Sequence, residues 1–458
     1  MQHAFLTVDL GFGDAGKGSI VDFLTRQQDA HTVIRYNGGA QAGHRVVLPH
    51  PSPLTPQKKV GEAMGEEQLQ DNAHVFAQFG SGTLAGADTH LSRFMLLDPL
   101  AMMKEEKHLR ILGVSDAFSR TTIDERALVI TPFQRAVNRL RELARGNQRH
   151  GSCGMGIGET MTDALMVGEQ ALRAGDLSDL DRLHGKLTLL RALNQNKIRD
   201  LQDTLPETEQ VVKELEILGA PDWADWLLEA YQDFTDQAQI VDSTYLRSIL
   251  QRDGSVVFEG AQGVLLDEWL GFHPHTTWST TTLANADTLL HEAGYAGEVT
   301  RVGITRSYAT RHGAGPFVSE ERAISPLLPD AANTHGDWQQ GFRVGWLDLV
   351  MLRYACEMVG KLDFLAVTCL DRLTKLPELK VCPRYLYDTF TVERIVPSLQ
   401  PHDLEYQSRI TQNLTCCKPL FESVADVDSL LAKIEKTLNL PVRIVSYGPT
   451  ANEKYWVA

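Results

Sequence analysis

The chain has 458 residues, 43% of them apolar and 22% charged, a composition that suits a soluble globular protein with a large core. Its 44 lysines and arginines face 59 aspartates and glutamates, a formal net charge of -15 that argues against non-specific nucleic-acid binding. No apolar run is long enough to span a membrane, and no basic-then-apolar leader precedes the first core-type strand, so a cytoplasmic location is expected. The six cysteines have no metal-ligand spacing, and adjacent Cys416 and Cys417 make a poor disulfide, so reduced thiols are expected.

The first stretch, Thr7 to Leu24, starts as an apolar strand, breaks into glycines and resumes as a helix with Ile20, Val21, Phe23 and Leu24 on one side. Gly11, four residues, Gly16 and Lys17 fit the phosphate-loop pattern. Its glycines let backbone N–H groups approach an anion, while the helix N-terminus and Lys17 add positive potential. The magnesium Ser or Thr expected next is Gly18, with Ser19 one place late. Asp14 is out of place beside phosphate unless it binds a metal or performs acid–base chemistry.

Thr32 to Tyr36 reads as a second strand, running into the glycine-rich turn 37–43 and then His44. Two strand-to-glycine-loop units so early predict a ligand crevice at the carboxyl ends of neighbouring strands, with His44 facing it. Residues 48–72 lack periodicity and read as a surface excursion. Val75 to Phe79 is a strand, residues 98–108 a helix, and Phe133, Val137, Leu140 and Ala144 recur at helical spacing over Thr131–Arg145. The segment Gly151 to Glu159, with four glycines, reads as a loop able to close over substrate or as a plain linker. Thr160 to about Tyr245 is helical and charged.

Strand patterns resume at Gly254–Leu266 and Val302–Thr310, and a helix at Asp348–Val359. Next come a buried-type strand over Phe364–Leu370, peripheral strands within 376–400, a helix over Val427–Leu438 and a last strand at Val442–Val445. His273 and His275, with Asp267 nearby, could in principle bind zinc, but no third ligand is spaced convincingly, so no metal site is expected there. Strands alternating with helices predict an α/β class with one large sheet.

Taken in order, these motifs resemble the adenylosuccinate synthetase family across nearly the whole chain. Gly13-Asp14-Ala15-Gly16-Lys17-Gly18 is similar to its Gly-Asp-Glu-Gly-Lys-Gly, and Arg35 to His44 to its second loop. Phe258 to Asp267, Tyr308 to Phe317 and Gly345-Trp346-Leu347-Asp348 match three further signatures. The resemblance implies one α/β domain over 1–458, with a mixed central sheet and a helical insertion at about 98–245. It also implies a homodimer with sites near the interface. The family uses GTP to join aspartate to the purine of IMP.

By the same resemblance, Asp14 takes the purine N1 proton and touches Mg2+, which the Gly43 carbonyl also holds. His44 donates to the purine oxygen, and Lys17 and the loop Gly13 to Ser19 neutralise developing charge. Asp371 accepts from guanine N1 and N2, flanked by Ser446, Tyr447 and Gly448. Gln41, Ala42, Cys153, Gln262, Thr277 and Arg343 make the nucleotide and amino acid side.

That side departs from the family. Of the arginines that precede Gly-Trp-Leu-Asp only Arg343 remains, with Gln340 and Phe342 beside it. Cys153 replaces a phosphate-binding threonine, Cys369 a lysine and Gln41 an asparagine. The arginine supplied by the partner subunit falls near Val167 or Glu169. Arginines suit a dicarboxylate because the planar fork binds each carboxylate twice. The expectation is therefore a GTP- and Mg2+-dependent purine nucleotide C–N ligase with an altered amine donor or acceptor. The alternatives are a standard synthetase whose arginines come from Arg306, Arg311 or Arg343, a non-catalytic nucleotide-binding homologue, and a phosphate-loop switch NTPase.

Overall fold

A computed structural model describes residues 1–49, 72–146, 151–330 and 341–457. The segment 48–72 and the residues around Gln340 therefore fall largely outside the described residues.

Among the described residues, ten strands form the central sheet. They are β1 (Gln2–Asp9), β2 (Ala30–Arg35), β3 (Asp88–Leu91), β4 (Thr121–Asp124), β5 (Gln239–Val241), β6 (Gly254–Glu259), β7 (Glu298–Arg306), β8 (Phe364–Thr368), β9 (Val442–Ser446) and β10 (Lys454–Trp456). The spatial order is β10-β9-β8-β7-β1-β6-β2-β3-β4-β5. Every neighbouring pair is parallel except β9 with β10, so the sheet is mixed. β1 lies mid-sheet, covered on both faces, which is why Ala4 to Val8 shows no alternation of apolar and polar residues. The five adjacent strands β8, β7, β1, β6 and β2 end on Thr368, Arg306, Asp9, Glu259 and Arg35. The predicted crevice lies beyond these ends.

Helix α1 (Lys17–Gln27) starts after Gly16, whose φ of 84° suits glycine. It packs Ile20, Val21, Phe23 and Leu24 against Phe5, Val257, Val302 and Ile304 of the sheet. The helical layer contains α2 (Pro99–Ile111), α3 (Pro132–Arg145), α4 (Ile157–Val167), α5 (Leu180–Arg199), α6 (Glu209–Gly219) and α7 (Trp223–Thr235). Thr131 and Gln134 form a capping box at the start of α3, with Pro132 at the first helical position. Phe133, Val137 and Leu140 then enter a second core with Leu187 and Phe234. Asp348 is the cap of helix Leu349–Val359 rather than part of it, accepting from Val350 N and Met351 N.

The mostly helical stretch 98–245 also carries β4 and β5, which extend the central sheet. Val442–Val445 is not the last strand, since β10 follows and pairs antiparallel with it. The helix Leu404–Cys416 escapes the sequence reading because polar residues interrupt its buried face of Gln407, Thr411 and Leu414.

Candidate active site

A cavity of about 1210 Å³ opens at the carboxyl ends of the central strands. One wall is the phosphate loop, whose local order comes from Asp9. The Asp9 carboxylate accepts from Gly11 N at 2.8 Å, Gly13 N at 3.4 Å, Ala15 N at 2.8 Å and Lys17 Nζ at 2.9 Å. Lys17 Nζ also donates to the Gly13 carbonyl at 2.7 Å. Two expectations change here: Lys17 is tied inward, and the loop amides at 11, 13 and 15 do not face the cavity. Ala15 is turned away as well, its carbonyl accepting from Thr368 Oγ1. Gly13, Asp14, Gly16, Lys17, Gly18 and Ser19 do line the cavity.

Gly18 has a steric reason. A Cβ there would meet the Cβ of His44 at 2.8 Å, closer than such atoms approach. The first turn of α1 thus packs directly on His44. His44 Nδ1 lies 2.6 Å from Glu259 Oε1, and Glu259 also accepts from the Ser81 N–H and hydroxyl. Burial would raise the Glu259 carboxyl, but Arg35, His44 and Ser81 hold it down at about 2. Arg35 is the register partner of Glu259 on β2. Burial lowers the His44 imidazole to about 4 against the pull of Glu259. The pair is therefore a carboxylate and a neutral imidazole with its proton on Nδ1. His44 Nε2 is buried with no hydrogen-bond partner among the described residues.

Asp14 lies opposite, with Oδ2 buried, lacking a hydrogen bond and 3.6 Å from His312 Nε2. Burial pushes its carboxyl up, while His312 and Arg306 pull it back down. Gln262 Nε2 donates to Thr277 Oγ1 at 2.8 Å, so these two expected nucleotide residues meet, and Gln262 Oε1 stays unpartnered. Gln41, Ala42, Gly43 and Cys153 line the same cavity. Burial raises the Cys153 thiol. At the other end Asp371, Ser446 and Gly448 come together, and burial raises the Asp371 carboxyl against Arg372.

Two expected residues are not brought in. Tyr447 is 41% exposed and leans on Tyr455, with ring centroids 6.4 Å apart. Arg343 is consumed by Glu320, at 2.5 Å, and by the carbonyls of Gly313 and Gly315, both at 3.1 Å. Arg306 and Arg311 do line the cavity, Arg306 paired with Asp330 at 2.9 Å and Arg311 donating to the carbonyls of Ala314 and Pro316. The sequence reading gave no role to Asp9, Arg35, Glu259 or His312. A charge ending an apolar strand is the signal that marks the first three.

No cluster of three or more metal-ligating side chains occurs among the described residues. No helix among them is long and apolar enough to cross a membrane.

The sequence profile described as adenylosuccinate synthetase matches residues 7–455. The adenylosuccinate synthetase of Salinibacter ruber is 32% identical over 460 residues, covering 96% of this chain and 95% of the relative. That of Clostridium botulinum strain 657 is 30% identical, covering 97% and 93%. The fully ligated adenylosuccinate synthetase structure from Plasmodium falciparum superposes with a TM-score of 0.75 at 21% identity, covering 99% of each chain. The cyanophage S-2L succinoaminodeoxyadenylate synthetase, bound to dGMP and to dATP as an energy donor, gives 0.59 at 15% identity, covering 100% and 95%. The protein is therefore an enzyme, a ligase that forms a C–N bond. By sequence and by fold alike, this chain belongs to the adenylosuccinate synthetase family.

Proposed function

We propose that the enzyme uses GTP to activate the 6-oxygen of an IMP-like purine nucleotide and replaces that oxygen with the amine of an amino acid such as aspartate. The observation that carries this reading is that Asp14 and His44 line one cavity beside the phosphate loop, each with a buried atom, Oδ2 and Nε2, that has no hydrogen-bond partner among the described residues. Asp14 would accept the purine N1 proton, making the 6-oxygen a nucleophile toward the γ-phosphorus. An oxyanion beside Nε2 raises the His44 pKa, so the imidazole takes a proton from solvent and its Nε2–H donates a hydrogen bond to that oxygen, keeping the proton. The amine then forms the new C–N bond, phosphate leaves with the oxygen, and the nitrogen releases a proton. Gln262 and Thr277 would orient the nucleotide, and Asp371 would accept from guanine.

The donor set suits magnesium, since the buried Asp14 oxygen has no hydrogen-bond partner. Asp14 and the Gly43 carbonyl would hold the ion, which when bound would offset phosphate charge. Leu165 and Met166, 72% and 62% exposed on α4, support a homodimer.

A second reading, an amine donor other than aspartate, is favoured by the engagement of Arg343 with Glu320. Incubation with GTP, Mg2+, IMP and aspartate, followed by mass, separates the two. A succinyl adduct lost in Asp14→Ala and His44→Ala supports the standard pair. No adduct with aspartate, but one with another amino acid, supports the second. No adduct and no nucleotide binding would overturn both.

A further inference from the structure

Asp9 closes β1 at 1% exposure, and all of its acceptor capacity is used. Oδ1 takes Gly11 N and Gly13 N, and Oδ2 takes Ala15 N and Lys17 Nζ. A carboxylate has about four lone-pair sites, so nothing remains for a metal or a substrate. In an ordinary phosphate loop, backbone N–H groups of this kind converge on a bound phosphate. Here they converge on a side chain of the same chain.

We infer that Asp9 is a positioning residue, an internal anion that fills the inner cradle of the phosphate loop. The triphosphate is thereby left to the outer donors, the first N–H groups of α1 and one remaining hydrogen of Lys17. This inference rests on the ligase reading above and adds to it which donors meet the phosphate.

The hydrogen count on the ammonium agrees. Lys17 has three donors, of which Asp9 and the Gly13 carbonyl take two. The amides of Lys17, Gly18 and Ser19 open α1 and have no intrahelical acceptor, the first such bond being Ile20 N to Gly16 O at 3.2 Å. A second feature points to the same place. His44, 5% exposed, packs against Gly18, and its Nε2 enters the cavity without a partner. The reacting phosphoryl group therefore belongs at the open N-terminal end of α1, beside the His44 ring, on the far side of the loop from Asp9. The arrangement has a mechanistic logic. The loop is ordered before nucleotide arrives, and two of the three Lys17 donors are already engaged, so substrate binding reorganises little.

The test is amide hydrogen exchange by NMR on the full chain, with a non-hydrolysable GTP analogue and Mg2+. The amides of Gly11, Gly13 and Ala15 are expected to be protected in the free protein and to change less than about twofold on addition. Those of Gly18 and Ser19 are expected to slow at least ~10-fold only with the analogue. Fast exchange at 11, 13 and 15 in the free protein, slowed by the analogue, would overturn the inference. A flat calorimetric titration with the analogue would sink the GTP reading, yet protection in the free protein would still report on Asp9.

Kinetics give a second readout. Asp9→Asn should lower kcat about 100-fold with the GTP KM shifted less than threefold, because the loop is misplaced rather than the nucleotide site removed. Lys17→Met with Asp9→Asn should be little worse than Lys17→Met alone. A raised KM with unchanged kcat, or additive losses, would count against the inference.

Discussion

His44 Nδ1 and Glu259 Oε1 are 2.6 Å apart although the two residues are 215 positions apart in sequence. The carboxylate fixes the imidazole tautomer and so decides which nitrogen reaches the cavity. Glu259→Gln turns a charged acceptor into a neutral amide and frees the ring to flip. The expected result is a loss of kcat of about 100-fold, with nucleotide KM nearly unchanged. Steady-state kinetics across pH check it, and an unaltered kcat would remove Glu259 from the mechanism.

Gly18→Ser restores the residue that a phosphate loop ordinarily uses for magnesium, yet it should harm this enzyme. The new Cβ collides with His44. Displacing His44 by about 1 Å is expected to cost about 100-fold in kcat. Gly18→Ser activity equal to the parent would show that the first turn of α1 can yield.

The three arginines should separate cleanly. Arg343→Ala removes the Glu320 pair and two carbonyl contacts at a partly exposed site. It should lower stability by about 1–2 kcal/mol while leaving the KM of the amino acid within about twofold. Arg306→Ala and Arg311→Ala should raise that KM and lower stability as well, since Arg306 pairs with Asp330 and the buried Arg311 donates to two backbone carbonyls. Thermal melts beside kinetics distinguish the two outcomes.

Parts of this organisation are plain in the sequence and parts are not. β1, α1 and the helix Val427–Leu438 are legible because apolar spacing and glycine punctuation agree locally. The meeting of Gln262 with Thr277, and of Asp371 with Ser446, follows from motif resemblance. Arg343 shows where that method stops. A motif preserves the residue type, while the partner Glu320 lies 23 positions away and takes up the guanidinium. Asp9 carries the signal of a charge closing an apolar strand, but its role depends on the curl of the following loop, which brings Gly11 N, Ala15 N and Lys17 Nζ back onto it.

His90, 1% exposed, pairs with Thr122 Oγ1 at 2.9 Å, and burial lowers its pKa to about 4. Its folded value lies below that of the unfolded chain. The unfolded state therefore takes the proton first, and stability falls as pH drops from about 6.5 toward 4. The shift corresponds to about 3 kcal/mol across that window. His90→Asn should flatten this acid limb in denaturant titrations without changing kcat at neutral pH. An unchanged limb would assign the acid sensitivity elsewhere.

Five neighbouring strands end on Thr368, Arg306, Asp9, Glu259 and Arg35, side by side. Their mutual separations are ruled by the pitch of sheet hydrogen bonding, about 4.8 Å from strand to strand. The chemical half of the enzyme is therefore a fixed row of fittings on one edge. Cys153 sits outside that row, in the loop that precedes α4. On the ligase reading proposed above, a change confined to such connections leaves the spacing of the row as it is.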